Sequence, residues 1–226
     1  MLKNIKDLAK NKLRKFAQME DYNNVEQPSL DELRNGYYLK GKWKNDFFKN
    51  DNPIVLELGC GKGEYSVSLA ERYPQKNFIG VDIKGARMWQ GATEALSKGF
   101  NNVGFLRIRI EWIEMCFSKN EIDEIWITFP DPQLKKRRST KRLTHPNFIS
   151  KYRKIIKENA TIHLKTDSQF LYGFTLGVVE SAGYFLEDCT DNLYNDKARK
   201  NMDIKTHYEQ IYLSKGIPIT YMRFKI

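Results

Sequence analysis

From Pro53 onward, the chain alternates short continuous apolar runs with segments whose apolar residues recur at helical spacing. Continuous apolar runs are typical of strands buried on both faces of a sheet, and here they cover residues 54–58, 78–81, 103–108, 124–129 and 161–164. Helical spacing covers residues 64–73, 86–98, 147–157 and 168–182. Strands that alternate with helices predict a parallel sheet with helices on both faces.

The two ends of the chain depart from this alternation. Residues 184–186 are predicted to form a further strand. In residues 219–226, apolar and polar residues alternate, which predicts a last strand after a turn. Residues 1–50 mix lysine, asparagine and aromatic residues with weak periodicity, although residues 4–16 are typical of a short basic amphipathic helix. We therefore predict a basic N-terminal arm over residues 1–50 and one α/β domain over residues 51–226.

The charge balance of the 226-residue chain indicates which classes of binding partner it favours. Lysine and arginine number 38 against 28 aspartates and glutamates, which gives a formal net charge of +10. Such an excess favours polyanionic partners, either nucleic acid or membrane headgroups. A merely solvated basic surface is the alternative, because net charge does not say where the charges lie.

Cysteine usage and hydropathy indicate the compartment. Cys60, Cys116 and Cys189 are widely separated and form no Cys-x-x-Cys pair, so we expect reduced thiols and no metal site. The N-terminus has no apolar signal core, and no apolar run approaches about 18 residues. We expect a soluble cytoplasmic protein, not associated with a membrane.

A glycine-rich loop follows the first predicted strand of the domain and precedes its first predicted helix. It reads Glu-Leu-Gly-Cys-Gly-Lys-Gly over residues 57–63, and glycines there allow a tight turn with room for a ligand against the backbone. Asp82 ends the next predicted strand, where a carboxylate can accept hydrogen bonds from both ribose hydroxyls. Glu57, Gly59, Gly61 and Asp82 are therefore candidate nucleoside-binding residues.

Two cofactors compete for such a pocket, S-adenosylmethionine and a dinucleotide such as NAD. The dinucleotide fingerprint is Gly-x-Gly-x-x-Gly, whereas this loop places its glycines at 59, 61 and 63. The carboxylate of Glu57 would repel a pyrophosphate but suits a cationic amino acid tail. The pattern favours S-adenosylmethionine, and a tight turn that binds no ligand is the third alternative.

A second candidate loop, Phe-Pro-Asp-Pro at residues 129–132, follows the fourth predicted strand. It lies at the carboxyl end of the sheet, where open α/β folds bind their ligands. Its prolines restrict the backbone around Asp131, so this carboxylate can orient a methyl acceptor in line with the donor sulfur. The alternative is an ordinary turn with a surface aspartate.

Directly afterwards the positive charge is concentrated in what we call the basic segment, residues 135–142. Six of its eight residues are cationic: Lys135, Lys136, Arg137, Arg138, Lys141 and Arg142. A charge run is often only a solvated face, but its place beside the acceptor loop favours contact with nucleic-acid phosphates. We interpret His145, which follows, as a surface or helix-capping residue with no catalytic role.

Together these motifs resemble the bacterial tRNA (guanine-N7)-methyltransferases, a family of class I S-adenosylmethionine-dependent enzymes. The resemblance covers most of the chain and is carried by residues 24–28, 56–63, 80–82, 129–132, 164–167 and 206–209. Phe-Pro-Asp-Pro combined with the C-terminal Thr-x-x-Glu is far more specific than either motif alone. The resemblance implies a Rossmann-like, mostly parallel seven-stranded sheet with an antiparallel C-terminal strand. It also implies methyl transfer to N7 of a guanine in the variable loop of tRNA.

The resemblance further implies a role for each matching position. Glu57, Gly59, Gly61 and Asp82 would bind the donor, and Asp131 is the active-site aspartate. The positions that would contact tRNA are Lys135, Asp167, Thr206 and Glu209. Arg109 stands where the family usually has an Asp or Asn that contacts adenine. We expect Arg109 to bind the cofactor there, with its backbone N–H on adenine N1, or Glu111 to reach the adenine amino group. Gln133 and Leu134 replace the aromatic and polar pair often found after the Pro-Asp-Pro.

Other classes of function stay open at this point. The chain can be a methyltransferase that acts on another RNA or on a small molecule, or an RNA-binding relative that has lost catalysis. The basic segment argues against a small-molecule substrate, and the three carboxylates Glu57, Asp82 and Asp131 argue against lost catalysis. We expect a monomer or a homodimer.

Overall fold

The computed structural model describes residues 13–195 and 202–226, and it contains one central mixed sheet. Among these residues the sheet has eight strands in the order β1-β4-β3-β2-β5-β6-β8-β7. The strands are β1 (Val25–Glu26), β2 (Ile54–Leu58), β3 (Asn77–Val81), β4 (Val103–Leu106), β5 (Ile122–Thr128), β6 (Ile156–Thr166), β7 (Phe185–Thr190) and β8 (Thr220–Lys225). Of these eight described strands, β8 alone runs opposite to the other seven, which confirms the predicted antiparallel C-terminal strand.

Helices cover both faces of the sheet, as the alternation predicts. They are α1 (Leu30–Arg34), α2 (Glu64–Arg72), α3 (Gly85–Ser97), α4 (Ile113–Cys116), α5 (Pro146–Tyr152), α6 (Gln169–Ser181) and α7 (His207–Ser214). The apolar sides of α1, α4, α5 and α6 pack in one core cluster. Helices α2, α3 and α7 pack in the other cluster. None of the helices among the described residues is long and apolar enough to cross a membrane.

The largest departure from the predicted elements is at the start of β6. The predicted helix over residues 147–157 ends at Tyr152, and β6 begins at Ile156. The backbone carbonyl of Ile155 accepts hydrogen bonds from the amides of Glu121 and Ile122, which commits this part of the chain to the sheet. Because Ile155 and Ile156 continue the helical spacing of apolar residues, the spacing alone cannot place the boundary.

The N-terminal segment supplies β1, so the sheet of the described residues has one strand more than the predicted seven. Val25 and Glu26 of β1 pair in parallel with Phe105 and Leu106 of β4. Further along the segment, Leu33 in α1 and Trp43 in a π-helical turn (Trp43–Phe48) are buried against the domain. The first 12 residues, with most of the predicted amphipathic helix, lie outside the described residues, although residues 13–20 are helical. The boundary at residue 50 stays a prediction.

The order of the strands determines where a ligand can bind. From the middle of the sheet, β2, β3 and β4 occupy successive positions toward one edge. Strands β5 and β6 occupy successive positions toward the other edge. Open α/β sheets bind ligands outside the carboxyl ends of the strands at this switch point. The crevice between β2 and β5 is therefore the expected location of a site.

Candidate active site

A cavity of about 390 Å³ opens at the carboxyl ends of β2 and β5. Six of the ten predicted site residues line it: Glu57, Gly59, Gly61, Asp82, Asp131 and Thr206. An adjoining cavity of about 240 Å³ shares Gly59 and Asp82 with the first and is lined by Arg109. The fold thus brings the glycine loop, the end of β3 and the acceptor loop together around one space.

At positions 59 and 61 the loop requires glycine for its backbone conformation rather than for protein packing. Gly59 and Gly61 have φ values of 80° and 56°, in the left-handed region that side chains disfavour. Among the described residues, a Cβ at Gly59 would have Leu143 as its one neighbour within 4 Å, at 3.9 Å, and a Cβ at Gly61 would have the Gly59 carbonyl at 4.0 Å. The space beside both glycines is therefore open to a ligand.

Asp82 is fixed at the mouth of this space by the backbone. One carboxylate oxygen accepts a hydrogen bond of 2.9 Å from the amide of Gly61, and the other accepts one of 2.7 Å from the amide of Lys84. A carboxylate has about four acceptor positions, so both oxygens can accept further bonds. This geometry suits the two vicinal hydroxyls of a ribose.

Glu57 differs from Asp82 because it is buried, with 4% of its surface exposed. One oxygen accepts hydrogen bonds from the amide and hydroxyl of Ser66 at 2.9 and 2.5 Å, and the other from the hydroxyl of Thr128 at 2.6 Å. Burial raises the pKa of Glu57 to about 7, although the hydrogen bonds from Ser66 and Thr128 act to lower it. A cationic group in the cavity would favour the ionised form.

Asp131 lies on an exposed loop whose two ends have unusual backbone geometry. Phe129 and Gln133, which flank the Pro-Asp-Pro, both have a φ of 47°, which is rare for residues with a side chain. One oxygen of Asp131 accepts a hydrogen bond of 3.0 Å from the amide of Gln133. The loop is therefore sharply bent, and it presents the carboxylate to solvent and to the cavity.

The side chain of Arg142 supports this loop. It was predicted, with the rest of the basic segment, to contact nucleic-acid phosphates, and the structure corrects that prediction for this residue. Its guanidinium donates hydrogen bonds to the carbonyls of Pro132 at 3.2 Å and Gln133 at 3.1 Å. The same group lies over the rings of Phe170 and Phe174, at 4.7 and 4.4 Å from their centroids. Arg142 is 5% exposed, so it supports the acceptor loop and does not face phosphates.

The other five cations of the basic segment are exposed to solvent: Lys135, Lys136, Arg137, Arg138 and Lys141. Residues 136–141 form a 3-10 helix. Within residues 13–195 and 202–226, none of the five forms an ion pair with another side chain. Lys141 also lines both cavities. His145 caps α5 by accepting a hydrogen bond from the amide of Asn147, as predicted.

The Thr-x-x-Glu motif forms the start of α7. The hydroxyl of Thr206 accepts a hydrogen bond from the amide of Glu209, and the Glu209 carboxylate accepts one from the amide of Thr206. Glu209 also lies 2.8 Å from the ammonium of Lys165 and accepts a hydrogen bond of 2.5 Å from Tyr194. The structure thus places Thr206 at the cavity and Glu209 in a buried network with internal partners.

Comparison with known proteins identifies the family. A family model described as "Putative methyltransferase" matches residues 51–222. The tRNA (guanine-N(7)-)-methyltransferase of Christiangramia forsetii is 53% identical over 221 residues, which are 96% of this chain and 99% of the relative. The enzyme of the same name from Bacteroides fragilis is 51% identical over 96% of this chain and 86% of its own length.

The chain belongs to the tRNA (guanine-N(7)-)-methyltransferase family. A more distant member, from Listeria monocytogenes, is 33% identical over 83% of this chain and 86% of its own length. Solved structures with the same fold include the 16S rRNA methyltransferase KamB, with a TM-score of 0.61, 15% identity and coverage of 87% of this chain and 91% of that one. The Rossmann-like class I methyltransferase fold is therefore confirmed.

The methyl donor of this family, S-adenosylmethionine, fits the residues at the cavity. Asp82 offers a fixed carboxylate with spare acceptor positions for ribose, and Glu57 offers a second carboxylate for the cationic tail. The open space beside Gly59 and Gly61 allows the nucleoside to lie against the backbone. Arg109 is exposed at the adjoining cavity, over the ring of Trp112.

Several residues that build this methyltransferase site were not identified from the sequence. Thr128 and Ser66 orient Glu57, Lys165 neutralises Glu209, and Arg142 supports the acceptor loop. Each acts through a side-chain contact outside the local pattern of its own strand or helix, which a single sequence does not reveal. The two remaining predicted residues, Lys135 and Asp167, line neither cavity.

Proposed function

We propose that this chain transfers the methyl group of S-adenosylmethionine to N7 of a guanine in tRNA, within the variable loop. The observation that carries the proposal is the basic segment, whose five exposed cations directly follow the Asp131 loop at the rim of a methyltransferase cavity. Because these cations have no anionic partner among the described residues, an RNA backbone that passes the rim would neutralise them. We further propose that the enzyme acts in the cytoplasm, as a monomer or a homodimer.

The donor would be held by the glycine loop and the two carboxylates beside it. Asp82 accepts hydrogen bonds from the ribose hydroxyls, and Glu57 faces the cationic amino acid tail of the donor. When bound, the donor supplies an electrophilic methyl group on a sulfonium. Guanine N7 carries a free lone pair at neutral pH, so no residue has to remove a proton before transfer.

Asp131 would act by orientation and electrostatics. Methyl transfer leaves a cationic purine ring, and a carboxylate near the ring stabilises that charge as it develops. The bent loop, fixed by Arg142 and by the amide of Gln133, limits where the carboxylate can lie. This restriction matters because the acceptor nitrogen must be aligned with the departing sulfur.

The guanine would be held by its N1 and N2 edge, which presents hydrogen-bond donors. Asp167 follows the end of β6 and is half-buried, and this burial raises the pKa of its carboxyl. The hydroxyl of Thr206 lies at the cavity, while Glu209 behind it caps α7 and sets the position of Thr206. We assign Lys135, at the start of the basic segment, to an RNA phosphate.

A direct assay tests the proposal. The full chain is incubated with labelled donor and unmodified tRNA, and the product is cleaved chemically at N7-methylguanine. We expect label in the RNA and cleavage at one guanine; transfer to a small acceptor alone, or no transfer, would overturn the proposal. Asp131→Ala should retain donor binding and lose about 100-fold in turnover, whereas the exposed Asp31→Ala should retain both donor binding and turnover. Unchanged turnover in Asp131→Ala would make that aspartate a turn residue only.

A further inference from the structure

An exposed aromatic ring lies next to the acceptor loop and is not used by the proposed reaction. Phe170 is the second residue of α6, three positions after Asp167, and 48% of its surface is exposed. A single exposed apolar side chain is common on protein surfaces, so its neighbours have to show whether it has a role. The side chain of Arg142 joins this ring to the active site.

Arg142 fixes the position of this ring relative to Asp131. Its guanidinium lies over Phe170 at 4.7 Å and at the same time donates hydrogen bonds to the carbonyls of Pro132 and Gln133. Phe170 is therefore one guanidinium away from the loop that carries Asp131. An arginine stacked on an aromatic ring leaves part of that ring available to another planar group.

The surroundings indicate which planar group that is. The exposed cations of the basic segment lie immediately before Arg142 in the chain, and none is neutralised by another described side chain. Because Arg142 follows these cations in the chain and contacts Phe170, an RNA strand bound to the cations can reach the ring with its bases. Nucleic-acid-binding proteins commonly combine a cationic groove for the backbone with aromatic rings on which unpaired bases stack.

We propose that Phe170, supported by Arg142, is a stacking platform for an unpaired base of the RNA next to the target guanine. The inference rests on the proposed tRNA substrate and adds a binding site for a second nucleotide. At Leu134, two residues after the Pro-Asp-Pro, the chain presents an exposed aliphatic side chain to solvent. Phe170 supplies an aromatic surface in contact with Arg142, which supports the same loop.

The test compares binding of tRNA by the wild type and four variants of the full chain across a range of salt concentrations. Phe170→Ala should weaken binding about tenfold without changing the slope of log affinity against log salt, because stacking releases no counterions. Lys136→Ala should instead reduce that slope by about 0.7–0.9. Phe170→Trp should bind as well as the wild type, since any aromatic ring can stack. Phe185→Ala is the matched control, because Phe185 is 65% exposed and lies on the edge strand β7.

A double-mutant cycle, which combines Phe170→Ala with changes in the RNA, identifies the base that stacks on the ring. Unpaired nucleotides near the target guanine are replaced one at a time by abasic residues. One replacement should weaken binding to the wild type and have no further effect on Phe170→Ala. If no position is coupled to Phe170, or if Phe170→Ala changes the sedimentation of the protein and not its RNA affinity, the platform is overturned. Wild-type methylation at N7 is measured separately, so a failed platform does not imply a failed function.

Discussion

The ammonium of Lys165 lies 2.8 Å from the carboxylate of Glu209, and neither side chain is exposed to solvent. Lys165 projects from β6 and also donates a hydrogen bond of 3.0 Å to the carbonyl of Ile204. Burial lowers the pKa of the Lys165 ammonium, and Glu209 offsets part of that effect. The pair joins the central sheet to the first turn of α7, where Thr206 lines the cavity.

Removal of one partner of this pair should be costly. Lys165→Met would leave the Glu209 carboxylate buried with no neutralising charge, and we expect a loss of about 3–5 kcal/mol in the free energy of unfolding. Urea denaturation measures it. Lys98→Met is the control, because Lys98 pairs with Glu94 at the surface and its loss should cost less than about 1 kcal/mol. Similar losses in the two variants would show that the buried pair has no special role.

The pKa of Glu57 makes donor binding depend on pH. The fold raises this pKa from 4.5 to about 7, so below pH 7 the carboxyl is mostly protonated in the free protein. A cationic donor favours the ionised form, and binding at pH 6 should therefore release a proton. We expect donor affinity to rise as the pH increases from about 5.5 through 7, and this rise should be absent in Glu57→Gln.

Calorimetry in two buffers of different ionisation enthalpy measures the released proton directly. Proton release at pH 6 by the wild type, and none by Glu57→Gln, would support the assignment. The same pKa has a consequence for the protein without donor. Because the folded-state pKa is raised, ionisation of Glu57 should reduce stability as the pH rises from about 4.5 through 7. An identical pH profile in both proteins would contradict both expectations.

The sequence predicts the parts of this molecule that depend on local patterns. Strand β2 was predicted with its observed bounds, since its five apolar or buried residues stand between a proline and a glycine loop. The cavity residues on the strand ends were also predicted, because parallel strands bring their carboxyl ends to one edge. In contrast, β1 has only two residues and forms by pairing with β4, so no periodicity marks it.

Burial of charged residues marks the limit of sequence reasoning at the site. Arg142 stands in a run of cations and looks like its neighbours, yet the rings of Phe170 and Phe174 cover it. The family resemblance implies that Glu209 contacts tRNA. In the structure, however, its partners are Lys165 and Tyr194. These partners lie far away in sequence, so only the fold shows that both charges are used internally.

Close packing between α3 and the glycine loop predicts a contrast between two glycines. A Cβ at Gly91 would lie 2.6 Å from the carbonyl of Lys62 and 2.9 Å from the Cα of Gly63. Because both atoms are backbone, Gly91→Ala has to displace the loop, and we expect a stability loss of about 1–3 kcal/mol with weaker donor binding. In α6, no described atom outside the helix's own backbone and the adjacent residues lies within 4 Å of the corresponding position at Gly177.

Gly177→Ala is therefore the matched control. It should stabilise the protein by about 0.4–1 kcal/mol, because alanine restricts the unfolded chain and favours the helix. Thermal or urea unfolding of both variants, together with donor titration, checks the pair. Equal effects of the two substitutions would mean that the contact between α3 and the loop is not tight.

The support of the acceptor loop by Arg142 gives the sharpest prediction about turnover. Arg142→Lys keeps the positive charge but cannot donate to the carbonyls of Pro132 and Gln133 in the same fork geometry. We expect turnover to fall by about 10- to 100-fold while donor affinity is unchanged, since Arg142 lines neither cavity. Arg138→Lys, at an exposed position of the basic segment, should retain turnover. If Arg142→Lys weakens RNA binding with an altered salt dependence and leaves turnover intact, Arg142 contacts phosphate, and the loop is held in place by its prolines alone.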